Sequence, residues 1–543
     1  MSKRILTGKS IRGVNSLFKL IQEFWPTLIL GIFYSTHLVR WPPHYEDEAW
    51  IWTPAMNSIL GFGTSFPSFG YSTDPNPLFN FVSAILLRLS PFDFWITVRG
   101  LALLSLIAIN LTSSRFFKKV FSTNNTWLFQ ALLMSIPLAD GLLFARLEVF
   151  AFAIGWLAIL MQTSTRRAVR HLSGPIFAIA VTIHPLTLVL SLFLFVQPGK
   201  HLGGTRRNLK FLMTKHLRFS LLFALYLILL NLKSLLSWRE YQQVLRRTGS
   251  SSRAFSDEDR WNFIFMPLRS IWKLADQFAT PNALLEIGYR YANDGVSWQI
   301  VDKGVAGILI GLLVMGTVAI ARRQPGWLVA SLGAMMIHSL LVVREETYYL
   351  IVLAPIFVAP IIFRYSLSTR HPKLWVTVVS ICTIKMLTVT YVPSLYSSVV
   401  QTQYALNAES PYDYSRQLDY AIPENSVIVG TIVLRAVLEN RSDVAVYGIT
   451  ALTEPNDGFG QRIDNCEQVQ ARLLEIWSRH PGKERLLVLF GTWQSQAFSQ
   501  YSTRFDDSDF ECLIRDVVST RTVTGVSDNG VAWEWVIRSY GTS

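Results

Sequence analysis

Between residues 24 and 393 apolar positions come in unbroken runs and not in the alternation of a half-buried strand: 24–40, 94–112, 124–140, 149–163, 217–236, 304–321, 327–342, 347–364 and 374–393. A run of about 17 to 20 apolar residues wound as α-helix crosses a hydrocarbon core of about 30 Å, so each run predicts a membrane helix. One more run, 174–197, is broken by His184-Pro185. A single crossing there puts Lys200, Arg206, Arg207, Lys210 and Lys215 outside. Arg115–Lys119, Arg166–Arg170, Arg322–Arg323 and Arg370–Lys373 then sit on the opposite side, and basic residues collect in cytoplasmic loops. Two short helices turning at His184-Pro185 return the loop to the cytoplasm, and proline disfavours helical backbone at the residue before it. The pattern predicts a polytopic α-helical membrane protein of about 11 membrane helices.

This arrangement divides the chain into a cytoplasmic basic N-terminus (1–23), a transmembrane domain (24–395) and an extracytoplasmic segment (396–543), with outer loops 41–93 and 237–303. The first outer loop holds two helical stretches too short to span, 46–60 and 76–90. They read as interfacial helices, with Trp50, Trp52, Phe79 and Phe81 at headgroup depth. Beyond residue 400 the pattern changes. Ser426–Gly430, Val444–Tyr447 and Leu486–Phe490 are short β-type runs, alternating with helical stretches at 411–421, 432–440 and 465–479. That alternation predicts a small C-terminal α/β domain.

Composition agrees: 16% of residues are charged and 50% hydrophobic, where soluble domains carry about 25% charged residues. The net charge of +13 divides into −7 beyond residue 400 and +20 before it. Because the positive charge lies in short loops between apolar runs, the basic balance reads as membrane topology, and nucleic-acid binding is excluded as a reading. Lys3, Arg4, Lys9, Arg12 and Lys19 precede a first run without a small-residue cleavage site, which predicts an uncleaved first span. Of the three cysteines, Cys382 lies in an apolar run, and Cys466 and Cys512 fall in the outer segment, where an oxidising compartment permits a disulfide.

The sharpest local feature is His44-Tyr-Glu46-Asp47-Glu48-Ala-Trp50, three consecutive carboxylates just beyond the first span. Asp74-Pro75-Asn-Pro77-Leu-Phe79 follows, and then Arg99 inside the next apolar run. A carboxylate beside the membrane accepts a proton from an attacking hydroxyl or amine, and nearby cations neutralise a phosphate leaving group. A run of carboxylates in a loop also describes a merely solvated surface. Arg99 fits a structural ion pair as well as a substrate contact. His184 fits a hydrogen-bonded structural residue as well as a phosphate ligand. No Cys/His/Asp spacing suits a closed metal site, no glycine-rich phosphate loop follows a strand, and no G-x-S-x-G occurs.

In order along the chain, Asp47-Glu48-Ala-Trp50, Pro75-Asn-Pro77-Leu-Phe79 and Arg99 resemble the GT-C glycosyltransferases, particularly the protein O-mannosyltransferase and lipid A aminoarabinose transferase branch. Phe144-Ala-Arg146-Leu-Glu148 is similar to the family's second acidic position after an arginine, and Ala180-Val-Thr-Ile-His184-Pro185 to its outward turn between two short helices. Arg344-Glu345-Glu-Thr-Tyr348-Tyr349, followed by Pro355, is similar to its late outer loop. The resemblance covers about residues 24–365. The sequence departs from the family where His184 stands for a common lysine, Asp74 for a lysine before the Pro pair, and Glu148 for a common aspartate.

The resemblance implies a GT-C-like fold and a polyprenyl-phosphate sugar donor entering from the bilayer. The acceptor, a glycan, lipid or protein, meets it on the extracytoplasmic side, and transfer inverts the anomeric carbon. Asp47 is then the catalytic base, and Glu48 belongs to the catalytic pair, supporting it or binding the acceptor. Arg344, Arg146, His184 and Arg99 bind the donor phosphate, and Glu148, Tyr348, Asp74 and Glu345 bind substrate or support the site. The resemblance makes no cofactor certain, and it leaves room for a divalent cation held in part by Asp47. Two other classes fit the spans: a transporter or flippase of lipid-linked saccharides, expected to show paired halves that are not evident here, and a non-catalytic scaffold acting through its outer domain. The lack of eukaryotic retention signals favours a bacterial plasma membrane.

Overall fold

The structure is a computed structural model. It describes residues 24–29, 31–32, 35, 52, 55–62, 77–92, 94–121, 126–134, 147–196, 221–230, 271, 296–321, 325–341, 351–367, 380, 417–430, 434–435, 438, 440–448, 466–490, 516–526 and 532–541. The helices are α1 (Pro77–Leu89), α2 (Phe94–Phe121), α3 (Trp127–Met134), α4 (Leu147–Gln162), α5 (Arg167–Ile183), α6 (Val296–Ala321), α7 (Pro325–Leu341), α8 (Ala354–Leu367) and α9 (Cys466–Ser478). A 3₁₀ helix, Pro185–Phe195, follows α5, and a shorter one, Ile351–Leu353, leads into α8. Among the described residues one stretch, Ile96–Phe121 of α2, is long and apolar enough to cross a membrane by length and composition. The span expected at 374–393 lies outside the described residues apart from residue 380.

The chain divides into two compact units, the first built from residues 1–37, 100–232 and 253–396. Its core is close-packed and partly polar. Thr27 Oγ1 donates to Gln130 Oε1 (2.8 Å), while Asn110 Nδ2 donates to Thr27 Oγ1 (2.9 Å) and to the Gln130 carbonyl (3.3 Å). Such bonds tie apolar helices together where hydrophobicity alone gives little preference between neighbours. Helices α4 and α5 form an antiparallel pair closed by a tight turn, in which the Thr163 and Ser164 amides return to the Leu160 and Met161 carbonyls. Ser173 Oγ donates to Gln162 Oε1 (3.0 Å) across the pair. Small residues mark close approaches. A Cβ on Gly155 of α4 would meet the Thr187 Cγ2 methyl at 2.7 Å, and one on Gly316 of α6 would strike the Pro360 carbonyl of α8.

The predicted break at His184-Pro185 is where α5 stops. His184 has extended backbone (φ −148°, ψ 119°), as the residue before a proline should. Pro185, with no amide hydrogen to place, begins the next helix. The segment that follows is a helix wound as 3₁₀ over 11 residues. Pro185 is exposed and Leu188, Ser191 and Leu192 are partly so, while Leu186, Thr187, Val189, Leu190, Phe193 and Leu194 are buried.

The second unit comprises residues 38–99, 233–252 and 397–543. Within it α1 exposes Phe81, Val82, Ile85 and Leu89 and buries Asn80 and Ser83. Its Phe79 ring meets Trp52 edge-on at 5.2 Å. The same unit holds a five-stranded sheet of β1 (Ser426–Gly430), β2 (Ala445–Gly448), β3 (Glu484–Phe490), β4 (Val517–Val526) and β5 (Ala532–Tyr540). The strand order is β2-β1-β3-β5-β4, with β1 parallel to both neighbours and β5 antiparallel to β3 and β4.

Strand β1 is buried along its whole length, which explains its unbroken Val-Ile-Val run. On one face Val427, Val429, Tyr447 and Leu487 pack against Val469, Leu473, Ile476 and Trp477 of α9. Those four sit at i, i+4, i+7 and i+8, one stripe of a helix. On the other face Ile428, Val446 and Val488 pack with Leu434, Leu438 and Trp535. Cys466 is disulfide-bonded, and its partner cysteine lies outside the described residues.

Candidate functional site

The structure describes three of the side chains singled out by sequence: Arg99, Glu148 and His184. Asp47, Glu48, Asp74, Arg146, Arg344, Glu345 and Tyr348 lie outside the described residues. Arg99 is buried near the start of α2. A guanidinium in such surroundings is held there by partners, because an unpaired buried charge is strongly destabilising.

Glu148 and His184 belong to different motifs, 36 positions apart in sequence, and the first unit brings them together. Glu148 opens α4 with its side chain 5% exposed, and His184 Nε2 stands 3.6 Å from its Oε1. A carboxylate in the first turn of a helix faces the unbonded amides and positive end of the helix dipole, which partly offsets its burial. The distance is that of an ion pair and is longer than a hydrogen bond.

His184 is fixed from both ends. Its Nδ1 accepts the Leu186 backbone N–H at 3.3 Å, capping the 3₁₀ helix with its own ring. Phe152, one turn beyond Glu148 on α4, meets the imidazole edge-on at 6.5 Å. An Nδ1 that accepts carries no hydrogen, so in the neutral ring the proton belongs to Nε2, the nitrogen facing Glu148. An N–H donor thus stands before a buried acceptor. Sequence reasoning assigned both residues to one kind of site but did not pair them. The break at Pro185 fixes where His184 lies along the chain, and only tertiary packing decides which helix start it faces.

Other polar clusters in the described residues have structural explanations. Arg435 is fully buried and donates to the carbonyls of Val444 (2.8 Å), Arg441 (3.1 Å) and Leu438, stitching the connection between β1 and β2. Burial lowers its pKa to about 10. Arg441 forks onto Asp443 with two bonds of 2.8 Å and reaches Asp419 at 3.0 Å. Those bonds hold the Asp443 carboxyl well below the usual carboxylate range. Tyr447 Oη and His480 Nε2 are 2.7 Å apart. Burial pushes the tyrosine up to about 12 and the histidine below its ordinary value. Among the described residues no group of three or more His, Cys, Asp or Glu side chains is placed to hold a metal ion.

No family model matches the sequence, and no curated protein matches it. Solved structures with a similar chain path include ArnT from Cupriavidus metallidurans bound to undecaprenyl phosphate, at 12% identity and TM-score 0.48, covering 98% of each chain. The Archaeoglobus fulgidus oligosaccharyltransferase tethered with an acceptor peptide containing the NVT sequon has 11% identity and TM-score 0.45, covering 97% of this chain and 75% of that one. The same enzyme in complex with Zn and sulfate has 13% identity and TM-score 0.45, covering 94% and 72%. Both proteins are GT-C superfamily members, the superfamily that the sequence motifs resemble.

Proposed function

We propose that this chain is an integral membrane glycosyltransferase that moves a sugar from a polyprenyl-phosphate donor to an acceptor on the extracytoplasmic side. The observation that carries the reading is the Glu148–His184 pair. Two short motifs that resemble GT-C positions, read separately from the sequence, meet within one buried, apolar helical unit. Ionisable groups in such surroundings are costly and mark functional positions by default.

Two further observations support the setting. Valines and other apolar side chains stand exposed along the outward faces of α6 and α7, at Val314, Val318, Val329, Leu332 and Met336, where lipid rather than water is the fitting solvent. The disulfide at Cys466 suits an oxidising compartment, which supports an extracytoplasmic reading of the segment after residue 396.

In the proposed reaction Asp47 takes the proton from the acceptor hydroxyl or amine as that atom bonds to the anomeric carbon. The carbon–oxygen bond to phosphate breaks on the opposite face, inverting the centre, and polyprenyl phosphate leaves with the bonding electron pair. Arg344, Arg146 and Arg99 neutralise the departing phosphate, while Glu48, Glu148, Asp74, Glu345 and Tyr348 hold the acceptor and sugar. The test is transfer from a panel of radiolabelled polyprenyl-phosphate sugars to membrane extract by purified protein. Wild type should form product, and Asp47→Asn should lose about 100-fold or more in rate. Equal product from both would remove Asp47 as the base.

A further inference from the structure

We infer that His184 is a positioning residue that orients the Glu148 carboxylate and is not a ligand of the donor phosphate; the inference rests on the glycosyltransferase reading above. Both ring nitrogens face groups of the fold. Nδ1 accepts the Leu186 amide at 3.3 Å, and Nε2 faces Glu148 Oε1 at 3.6 Å. A ring turned to meet a phosphate gives up the 3₁₀ cap, the Glu148 contact, or both. The cap matters because the amides at a helix start have no intrahelical acceptor.

What the pair provides is a carboxylate with one preferred orientation. A glutamate has three side-chain torsions, and only a specific partner selects among the rotamers that fit its pocket. The Phe152 ring, edge-on to His184 at 6.5 Å, restricts the imidazole in turn. Orientation therefore passes from the broken helix at His184 through Nε2 to Glu148, and from Glu148 to a sugar or acceptor hydroxyl. Partners that orient a binding group in this way typically govern about 10- to 100-fold of affinity or activity.

Two substitutions separate the roles of the ring. In His184→Asn the amide oxygen takes the place of Nδ1 and keeps the cap, as asparagine does at helix starts, while the ring's contact with Glu148 is lost. In His184→Gln the terminal amide N–H extends to where Nε2 stood. The experiment uses the full-length protein with His184→Asn, His184→Gln, Glu148→Gln and the Glu148→Gln/His184→Asn double variant. It measures sugar transfer, affinity for undecaprenyl phosphate as probe, and melting midpoint.

His184→Asn should lose about 10- to 100-fold in kcat/KM, with carrier affinity and midpoint unchanged. His184→Gln should recover most of the loss, and the double variant should be no slower than Glu148→Gln alone. A tenfold drop in carrier affinity in His184→Asn, absent from Glu148→Gln, would make the histidine a phosphate ligand and overturn the inference. So would losses that multiply in the double variant, or full activity in His184→Asn. Wild-type protein that transfers no sugar from any donor would overturn the glycosyltransferase reading itself, and this role with it.

Discussion

Gly155→Ala tests the packing on which the Glu148–His184 pair depends. The added methyl would lie 2.7 Å from the Thr187 Cγ2 methyl and 3.1 Å from Leu190 Cδ1, where carbon atoms rest at about 3.5 to 4.0 Å. Leucine can rotate away, but Thr187 is β-branched, stiff and wholly buried. Helix α4 and the 3₁₀ helix must therefore separate by roughly 1 Å. Overpacking of this kind costs about 1 to 3 kcal/mol.

Alanine also returns about 0.8 to 1.0 kcal/mol of helix propensity, so the informative number is a difference from a control. Gly311 of α6 has nothing within 4 Å of a built Cβ, and Gly311→Ala should show the propensity gain alone. The two variants should differ by about 1 to 3 kcal/mol, read from denaturation midpoints of protein solubilised in detergent. Adding Thr187→Ser removes the offending methyl while keeping a hydroxyl, so the Gly155→Ala/Thr187→Ser protein should regain most of the loss. Equal midpoints for Gly155→Ala and Gly311→Ala, or no relief from Thr187→Ser, would refute the assigned contact.

The sheet should weaken in acid in two stages. Burial depresses the His480 pKa, so its contribution is complete above the unfolded value of about 6.5 and falls away as pH drops through it. The Arg441 fork, and secondarily the Asn425 amide, depress Asp443, so that contribution is present above about pH 4 and is lost below it. Hydrogen exchange of the full chain, corrected for intrinsic rates, should show the protection of β1 and β2 falling in those two stages, with Asp443→Asn removing the second; protection independent of pH would refute both assignments. With three cysteines in the chain and Cys466 disulfide-bonded, unreduced denatured protein should take up maleimide at one thiol, and labelling at three would remove the bridge.

Local chemistry was legible in the sequence where one residue dominates it. The stop of α5 follows from Pro185, and β1 follows from a Val-Ile-Val run buried on both sides, with bounds that the structure reproduces. The start of β3 lies two residues before the apolar run, because Glu484 and Arg485 continue its ladder, pairing with Ser426 and Val427 of β1. Strands β4 and β5 went unassigned although their signals are present. Thr520, Thr522 and Thr524 alternate with other residues along one, and Ser527-Asp-Asn-Gly530 supplies a hairpin-type turn before the other. The edge strand β4 is threonine-rich and weakly apolar, and in β5 Glu534 and Arg538 interrupt the apolar positions, so a search for apolar runs passes over both. The Glu148–His184 contact has no local signature, because neither residue's neighbours encode which helix start the broken segment will face.

The winding after His184 changes how far a given stretch of chain reaches. Eleven residues at about 2.0 Å each extend roughly 22 Å as a 3₁₀ helix, against about 16 Å at the α-helical rise. That is most of the thickness of a hydrocarbon layer, reached with about half the residues an α-helical crossing uses. A hydropathy window of fixed width underestimates such a segment. Rewinding it to the wider helix would draw its far end back by about 5 Å without lengthening the chain by a single residue.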